Sequence, residues 1–179
     1  TDLIVSSHFE DVGSLSKAGK SYVIYGSAAL SALQTVSTAN VGGSVAGFTI
    51  SGWQDGEESG TDYSGVSVSS AGDVNGDGLG DIVIGAIVAS VSAPNRYSGK
   101  TYVVFGRSTA NAAIDLATIA SGVSTGGFAI ISNVAGEQSG HSVSSAGDIN
   151  GDGLMDIILG APNNSVDGSG NTGQSYVVY

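Results

Sequence analysis

The chain has 179 residues, with 16 acidic and 5 basic residues, no cysteine, 29 glycines and 2 prolines. The formal charge of −11 argues against a nucleic-acid partner, because phosphate binding requires Lys and Arg, and the lack of cysteine excludes disulfides. No apolar run approaches the roughly twenty residues that a membrane helix needs, and a hydrophobic content of 41% argues against wholesale disorder.

Three short strands are predicted in the first part of the chain. Residues 3–7 (LIVSS) follow Asp2, and residues 19–26 (GKSYVIYG) alternate aromatic and β-branched residues, as strands do. Residues 47–51 (GFTIS) give the third strand. Between the last two, residues 28–36 hold apolar residues at roughly helical spacing, which predicts a short helical turn.

A nine-residue loop at residues 73–81 (DVNGDGLGD) has the spacing of a calcium site. Ca²⁺ prefers about six to eight oxygen ligands, which alternate side chains of a tight loop and one backbone carbonyl can supply. Positions one, three, five and nine carry side-chain oxygens here, and position seven offers its carbonyl. The candidate ligands are Asp73, Asn75, Asp77, Asp81 and, through its carbonyl, Leu79.

The flanks of this loop are extended rather than helical. Residues 82–86 (IVIGA) follow the loop as a buried strand, and residues 67–72 (SVSSAG) precede it. An EF-hand needs a bidentate Glu at position twelve and a helix after it, but position twelve is Ile84. The unit is therefore strand, loop, strand, although Asn75-Gly76 is also an ordinary turn pair and leaves a metal-free hairpin as the alternative.

A second copy of this unit begins 75 residues later, at residues 148–156 (DINGDGLMD). The flanking residues 140–147 and 157–161 repeat the strand patterns around the first loop. Two full copies of a spaced ligand set favour a metal site over a simple turn. The second set of candidate ligands is Asp148, Asn150, Asp152, Asp156 and, through its carbonyl, Leu154.

The other strands recur with the loops, so the repeat covers most of the chain. The pattern of residues 19–26 returns at residues 99–106 and 173–179, and that of residues 47–51 returns at residues 127–131. A second helical turn is predicted at residues 112–119. Each period therefore contains a pre-loop strand, a post-loop strand, a Tyr-Val-Val strand and a Gly-Phe strand, which is the strand count of one β-propeller blade.

The start of the chain fits the same register. Counted back from residues 19–26, Asp2 falls on the position of Asp81, the ninth residue of the loop. Asp2 is therefore a further candidate metal ligand, from a loop whose first residues are mostly absent. We expect the sequence to be a piece of a longer array, because it enters in the middle of one motif and leaves at the end of a strand.

This pattern resembles the FG-GAP repeats of the integrin alpha-chain propeller, and more closely the long bacterial arrays of such repeats in secreted or surface proteins. The residues that carry the resemblance are Gly140, Ser142 and Val143, the calcium loop, Gly160-Ala161-Pro162, and residues 176–179 (YVVY). The resemblance implies an all-β fold of β-propeller blades, each with four antiparallel strands and a Ca²⁺ loop between the first and second strands. About two to three blades are expected, as a partial repeat at residues 1–46, a repeat at 47–126 and a truncated repeat at 127–179.

The resemblance also implies a function without catalysis. We expect a calcium-binding, calcium-stabilised propeller segment of an extracellular or cell-surface protein, which mediates adhesion or protein–protein interaction. Its partners would be a protein or glycan ligand, or other copies of itself. The alternatives are a non-catalytic accessory propeller of a secreted enzyme, or a structural subunit of an extracellular filament or surface layer.

Partner-binding loops of the family lie opposite its calcium loops, and strand parity places four connections of this chain on that side. Aromatic residues and Arg dominate binding hot spots. The candidate contacts are therefore Trp53, Tyr63, Arg96 and Tyr97. The alternative for each of them is packing against its own blade.

Overall fold

The computed structural model describes residues 2–28, 30, 35–53, 63–89, 97–109, 113–164, 170 and 172–179. Within these ranges the chain folds into short strands, one short α-helix and a 3-10 turn at Thr38–Asn40, and no helix there is long and apolar enough to cross a membrane. In chain order the elements are β1 (Leu3–Ser7), β2 (Lys20–Ile24), β3 (Gly47–Ser51), β4 (Ser64–Gly72), β5 (Asp81–Ala86), β6 (Lys100–Val104), β7 (Ile114–Asp115), α1 (Leu116–Ala120), β8 (Gly127–Ile131), β9 (Ser142–Gly147), β10 (Asp156–Ala161) and β11 (Gln174–Val178).

The strands of the described ranges form three sheets. The first contains β1, β2 and β3 in antiparallel order, with the two-residue strand β7 added in parallel to the edge of β3. The second is the antiparallel sheet β4-β5-β6-β8, and the third is the antiparallel sheet β9-β10-β11. The prediction of an all-β chain with antiparallel sheets is confirmed.

Both faces of the second sheet are covered, each by a different neighbouring sheet. Side chains alternate between the two faces of a strand, so Ile82 and Ile84 of β5 join the core shared with the first sheet, whereas Val83 joins the core shared with the third. Tyr102 and Val103 of β6 divide in the same way. This two-sided burial explains why β5 and β6 are continuous runs of buried residues.

Small residues allow neighbouring sheets to approach closely. A Cβ atom at Gly85 would lie 1.9 Å from the carbonyl oxygen of Gly140, so only glycine fits between the second and third sheets. The Ser67 hydroxyl donates to the same carbonyl at 2.8 Å. Between the first and second sheets, the Ser6 hydroxyl donates to the carbonyl of Gly65 at 2.6 Å. At each joint, meaning the contact between two neighbouring sheets, a serine hydroxyl therefore donates to a glycine carbonyl. The two glycines, Gly65 and Gly140, are equivalent positions of the repeat.

The connection between β6 and β8 crosses over to the first sheet. Ile114 of β7 pairs with Ile50 of β3, and Leu116 of α1 is buried in the core between the first two sheets. The helix begins after Asp115, whose carboxylate accepts the N–H of Ala117 at 2.9 Å as an N-cap. This helix confirms the helical turn predicted for this connection, whereas the turn predicted at residues 28–36 lies largely outside the described residues.

The sheets divide the chain at different points from the repeats predicted from the sequence. The Gly-Phe strand β3 completes the first sheet and β8 completes the second, although each was placed at the start of the following repeat. The predicted order of strands within one blade, with the Gly-Phe strand last, agrees with the second sheet; only the residues at which the units were divided differ.

Candidate metal centre

The two predicted loops lie in equivalent places, each between the first and second strands of a sheet. Residues 73–80 connect β4 to β5, and residues 148–155 connect β9 to β10. The ninth loop positions, Asp81 and Asp156, are the first residues of β5 and β10. Because β4 packs against β9, both loops emerge at the same edge of the stack, which we call the loop edge.

Asp73 organises the first loop through its carboxylate. It accepts the backbone N–H groups of Gly76 at 2.8 Å, Asp77 at 3.1 Å and Gly78 at 2.9 Å. Gly76 and Gly78 have φ angles of 77° and 83°, a region that L side chains rarely adopt. The two glycines therefore allow the backbone to wrap around the first carboxylate of the predicted ligand set.

The second loop has the same hydrogen bonds at the same positions. Asp148 accepts the N–H groups of Gly151 at 2.7 Å, Asp152 at 3.1 Å and Gly153 at 3.0 Å. Corresponding distances in the two loops differ by no more than 0.1 Å. The two copies therefore share one local fold as well as one spacing of residues.

The side chains at positions three and five contact each other. Asn75 donates its amide N–H to Oδ2 of Asp77 at 2.9 Å and accepts the backbone N–H of Asp77 at 2.9 Å. Oδ1 of Asp77 accepts the N–H of Leu79 at 2.8 Å. Asn150 and Asp152 repeat these contacts in the second loop. The side chains at positions one, three and five are thus tied into each loop by hydrogen bonds.

The ninth position closes each loop with a buried carboxylate. Asp81 and Asp156 are each only 1% exposed. Oδ2 of Asp81 accepts the N–H of Val74 at 2.8 Å, and Oδ2 of Asp156 accepts the N–H of Ile149 at 2.7 Å. The end of each loop is therefore tied back to its second residue.

Asp2 occupies the structural position that the repeat register assigns to it. Its Oδ1 accepts the N–H of Gly26 at 2.8 Å, and Oδ1 of Asp81 accepts the N–H of Gly106 at 2.7 Å. The two glycines follow β2 and β6, which are equivalent strands. Asp2 itself is exposed, and its role as a metal ligand stays a prediction.

Electrostatics in the first loop disfavour three adjacent negative charges. Burial raises the pKa of the Asp81 carboxyl above its ordinary value, and the charges of Asp77 and Asp73 raise it further. The N–H groups of Gly106 and Val74 act in the opposite direction. A cation placed among these carboxylates would favour their charged forms.

The donor set of the loops is composed of hard oxygens, which is the chemistry that suits Ca²⁺. Across the described ranges, no three Asp, Glu, His or Cys side chains form a group that could hold a metal ion; the loop carboxylates accept N–H groups of their own loop instead. A carboxylate offers about four lone-pair positions, and Asp77 uses two of them. The types of donor therefore suit a calcium ion, and Asp77 keeps lone-pair positions that its own loop does not use.

The structure separates the predicted partner-binding residues. Trp53 is half-buried, donates its indole N–H to the Tyr102 hydroxyl at 2.9 Å, and has the Lys100 ammonium 5.0 Å from its ring. Trp53 therefore packs against the joint between the first two sheets. Tyr97 is 43% exposed, and Arg96 lies outside the described residues.

Tyr63 belongs to an aromatic contact that includes a residue not singled out from the sequence. Its ring meets that of Phe9 edge to face at 5.3 Å, and Phe9 is 60% exposed. Tyr63 and Tyr97 have φ angles of 46° and 58°, which residues other than Gly and Asn rarely adopt. Gln138 and Lys17 share this region at equivalent positions, so the strain belongs to the repeat geometry.

A buried polar network lies between the second and third sheets. Glu137 is 1% exposed and accepts hydrogen bonds from Ser132, Tyr176 and Asn164, the last at 2.9 Å. Glu137 belongs to the Gly-Glu-x-Ser-Gly segment that occurs twice in the chain, and it is not among the candidate residues singled out from the sequence. The clue in the sequence was the repeated acidic residue beside apolar strands.

Comparison with known families identifies the third sheet. Residues 139–178 match the family model for the FG-GAP repeat. This segment is similar to an FG-GAP repeat. It contains β9, the second loop, β10 and β11, and FG-GAP repeats are typical of extracellular or surface domains that mediate protein interactions and are typically not enzymes. A search of curated proteins found no match.

Proposed function

We propose that the chain is a calcium-binding, calcium-stabilised β-propeller segment of an extracellular or cell-surface protein, where it mediates adhesion or protein–protein interaction. The main support is the recurrence of one loop, with the same oxygen donors and the same hydrogen bonds, on two consecutive sheets. A plain hairpin turn would not require three carboxylates in each copy. The FG-GAP match over the second loop supports the same proposal.

In each loop, the side chains at positions one, three, five and nine, with the carbonyl at position seven, would hold the ion. Bound calcium would supply positive charge among carboxylates that otherwise repel one another by about 1 kcal/mol per pair at 4 Å in bulk water. The proposed ligands are Asp73, Asn75, Asp77, Leu79 and Asp81 in the first loop, and Asp148, Asn150, Asp152, Leu154 and Asp156 in the second. Asp2 would be the ligand at the ninth position of a further loop.

The exposed face of the first sheet supports a propeller-like array. Leu3 and Val5 of β1 are 58% and 39% exposed. Their equivalents in the second sheet, Ile82 and Ile84, are 8% and 0% exposed, because the first sheet covers them. The face that is exposed in the first sheet is therefore buried in the second sheet, where it forms the interface with the first.

The exposed face of the third sheet gives the complementary observation. Ile158 and Val177 are 37% and 39% exposed, whereas their equivalents Val83 and Val103 are 0% exposed under the third sheet. The two exposed faces thus correspond to the two faces that meet inside the stack. We infer that further sheets of this kind cover them, from other FG-GAP repeats or other copies.

A protein partner would meet the edge opposite the loop edge. Phe9 and Tyr97 are 60% and 43% exposed there, and the Lys17 ammonium lies 6.0 Å from the Phe9 ring. Exposed aromatic and cationic side chains are typical of binding hot spots. Trp53 is the weakest of the predicted contacts, because its indole N–H is already bonded within the joint.

Equilibrium dialysis against calcium tests the proposed sites. Wild-type protein is expected to bind two ions per chain, and the Asp77→Asn and Asp152→Asn variants are expected to bind one each, since each loses one loop carboxylate. Asp115→Asn is the matched control, because it changes a carboxylate of the helix cap outside the loops, and it should still bind two. Binding that is equal in all four proteins would contradict the proposal.

A further inference from the structure

The two candidate calcium loops are in direct contact. The backbone N–H of Met155 donates to the carbonyl oxygen of Asp73 at 3.0 Å. Asp73 is the first position of the first loop, and Met155 is the eighth position of the second. One hydrogen bond therefore joins the end of one loop to the start of the other, across the joint between two sheets.

Side chains of the second loop also pack onto the backbone of the first. A Cβ atom at Gly72 would lie 2.5 Å from Cγ of Met155, and one at Gly76 would lie 3.1 Å from a methyl carbon of Leu154. Both residues are glycines with positive φ angles, of 78° and 77°. Because they have no Cβ atom, they leave room for these side chains. The second loop thus packs against the backbone at Gly72, before Asp73, and at Gly76, three residues after it.

The contact runs in one direction along the stack. Gly80 is the eighth position of the first loop, equivalent to Met155, and a Cβ atom there would meet nothing within 4 Å. The first loop therefore has no side chain with which to repeat this contact on its other side. The side-chain part of the contact therefore depends on the residue at position eight, whereas the hydrogen bond is made by its backbone N–H.

Asp73 connects this contact to the ligand set. Its carbonyl accepts the N–H of Met155, while its carboxylate accepts three N–H groups of its own loop. When calcium orders the second loop, Met155 is held in place. Met155 in turn fixes the backbone of Asp73, whose carboxylate organises the first loop. Resting on the proposed calcium function, we propose that the two loops bind calcium cooperatively and that Met155 is the residue that couples them.

Linkage requires the coupling to be reciprocal, so each loop must raise the affinity of the other by the same factor. A factor of about five is expected, at the lower end of typical coupling, because one backbone hydrogen bond and two side-chain contacts carry it. Calorimetric calcium titration gives this factor. In Asp152→Asn only the first loop binds calcium, and in Asp77→Asn only the second. In each variant the calcium affinity should be about fivefold lower than the affinity of the second binding step of the wild type.

Met155→Gly gives the second loop the residue found at the equivalent position of the first. This variant should still bind two ions but with weaker cooperativity, because it loses the Met155 side-chain contact and keeps the backbone hydrogen bond and the Leu154 contact. Adding Asp152→Asn to it should weaken the first loop by clearly less than fivefold. Met155→Ala is a milder second variant in case glycine loosens the fold, and its cooperativity should be reduced. Ile149→Ala is the control, since Ile149 is 55% exposed and its truncation should leave the coupling intact.

The titrations distinguish the two proposals. If calcium binds but the first loop has the same affinity in Asp152→Asn as in the wild type, coupling is overturned and the calcium sites stand. Equal cooperativity in wild type and both Met155 variants would also overturn the role of Met155. If no protein in the series binds calcium, both proposals are overturned together.

Discussion

Replacing Gly85 by alanine tests how closely the second and third sheets pack. The new Cβ atom would lie 1.9 Å from the carbonyl oxygen of Gly140 and 2.4 Å from the Ser67 hydroxyl, and real Cβ atoms essentially never come within 3.0 Å of another heavy atom. A serine side chain can rotate away, but a backbone carbonyl cannot. The two sheets must therefore move apart locally by about 1 Å, because overpacking displaces backbone where no side chain can give way.

The loss follows from the side chains that the sheets share. Val83, Val103 and Ile157 are at most 2% exposed in this joint, and a gap of about 0.5–1 Å forfeits about a quarter to a half of the dispersion attraction between facing atoms. Together with the clash, this should lower the free energy of unfolding by about 3 kcal/mol or more, at the upper end of overpacking effects.

Urea unfolding followed by circular dichroism measures this loss, and Gly160→Ala is the matched control. Gly160 has the same position in the third sheet, but its Cβ atom would meet the rotatable hydroxyl of Ser142 at 2.6 Å and no backbone atom closer than 3.9 Å. Its loss should be below about 1 kcal/mol. Equal losses in the two variants would refute the argument that this joint is held at backbone contact.

Two further perturbations address polar groups inside the fold. Burial, followed by the hydrogen bond to Glu10 and the charge of Glu10, raises the pKa of Tyr22 to about 12. Because an unfolded tyrosine ionises near 10, the stability that this shift contributes is present below pH 10 and is lost as the pH rises to about 12. Tyr22→Phe should therefore show a shallower fall in urea midpoint over that interval than the wild type. Glu137→Ala should lower the free energy of unfolding by about 3 kcal/mol, since it removes the buried acceptor of hydrogen bonds from Ser132, Tyr176 and Asn164. Glu10→Ala, at a more exposed carboxylate, should cost about 1 kcal/mol; equal losses would contradict the burial argument.

Local features of this chain could be predicted from the sequence, because they depend on spacing. The oxygen-bearing residues at positions one, three, five and nine of both loops are arranged in the structure as one repeated local fold. The strands around them were predicted from period and β-branching, and the position of Asp2 from simple counting. These features need no knowledge of distant residues.

Features that depend on tertiary contacts could not be predicted in the same way. Trp53 was placed on a binding surface because it is an aromatic residue in a connection, but it packs at the joint because the Tyr102 hydroxyl and the Lys100 side chain lie beside it. Glu137 lies in the connection between β8 and β9, and Asn164 and Tyr176 from later segments hold it in the interior. The contact between Met155 and Asp73 joins residues that no repeat alignment places together.

The free energy of unfolding at controlled free calcium tests the central claim most directly. Calcium at one to ten times its dissociation constant should add about 0.4 to 1.4 kcal/mol per site, and a chelator should remove that gain. The Asp77→Asn, Asp152→Asn double variant should not respond to calcium. If the wild type unfolds at the same urea concentration with calcium and with chelator, over calcium concentrations up to the millimolar levels of extracellular modules, the loops are not calcium sites.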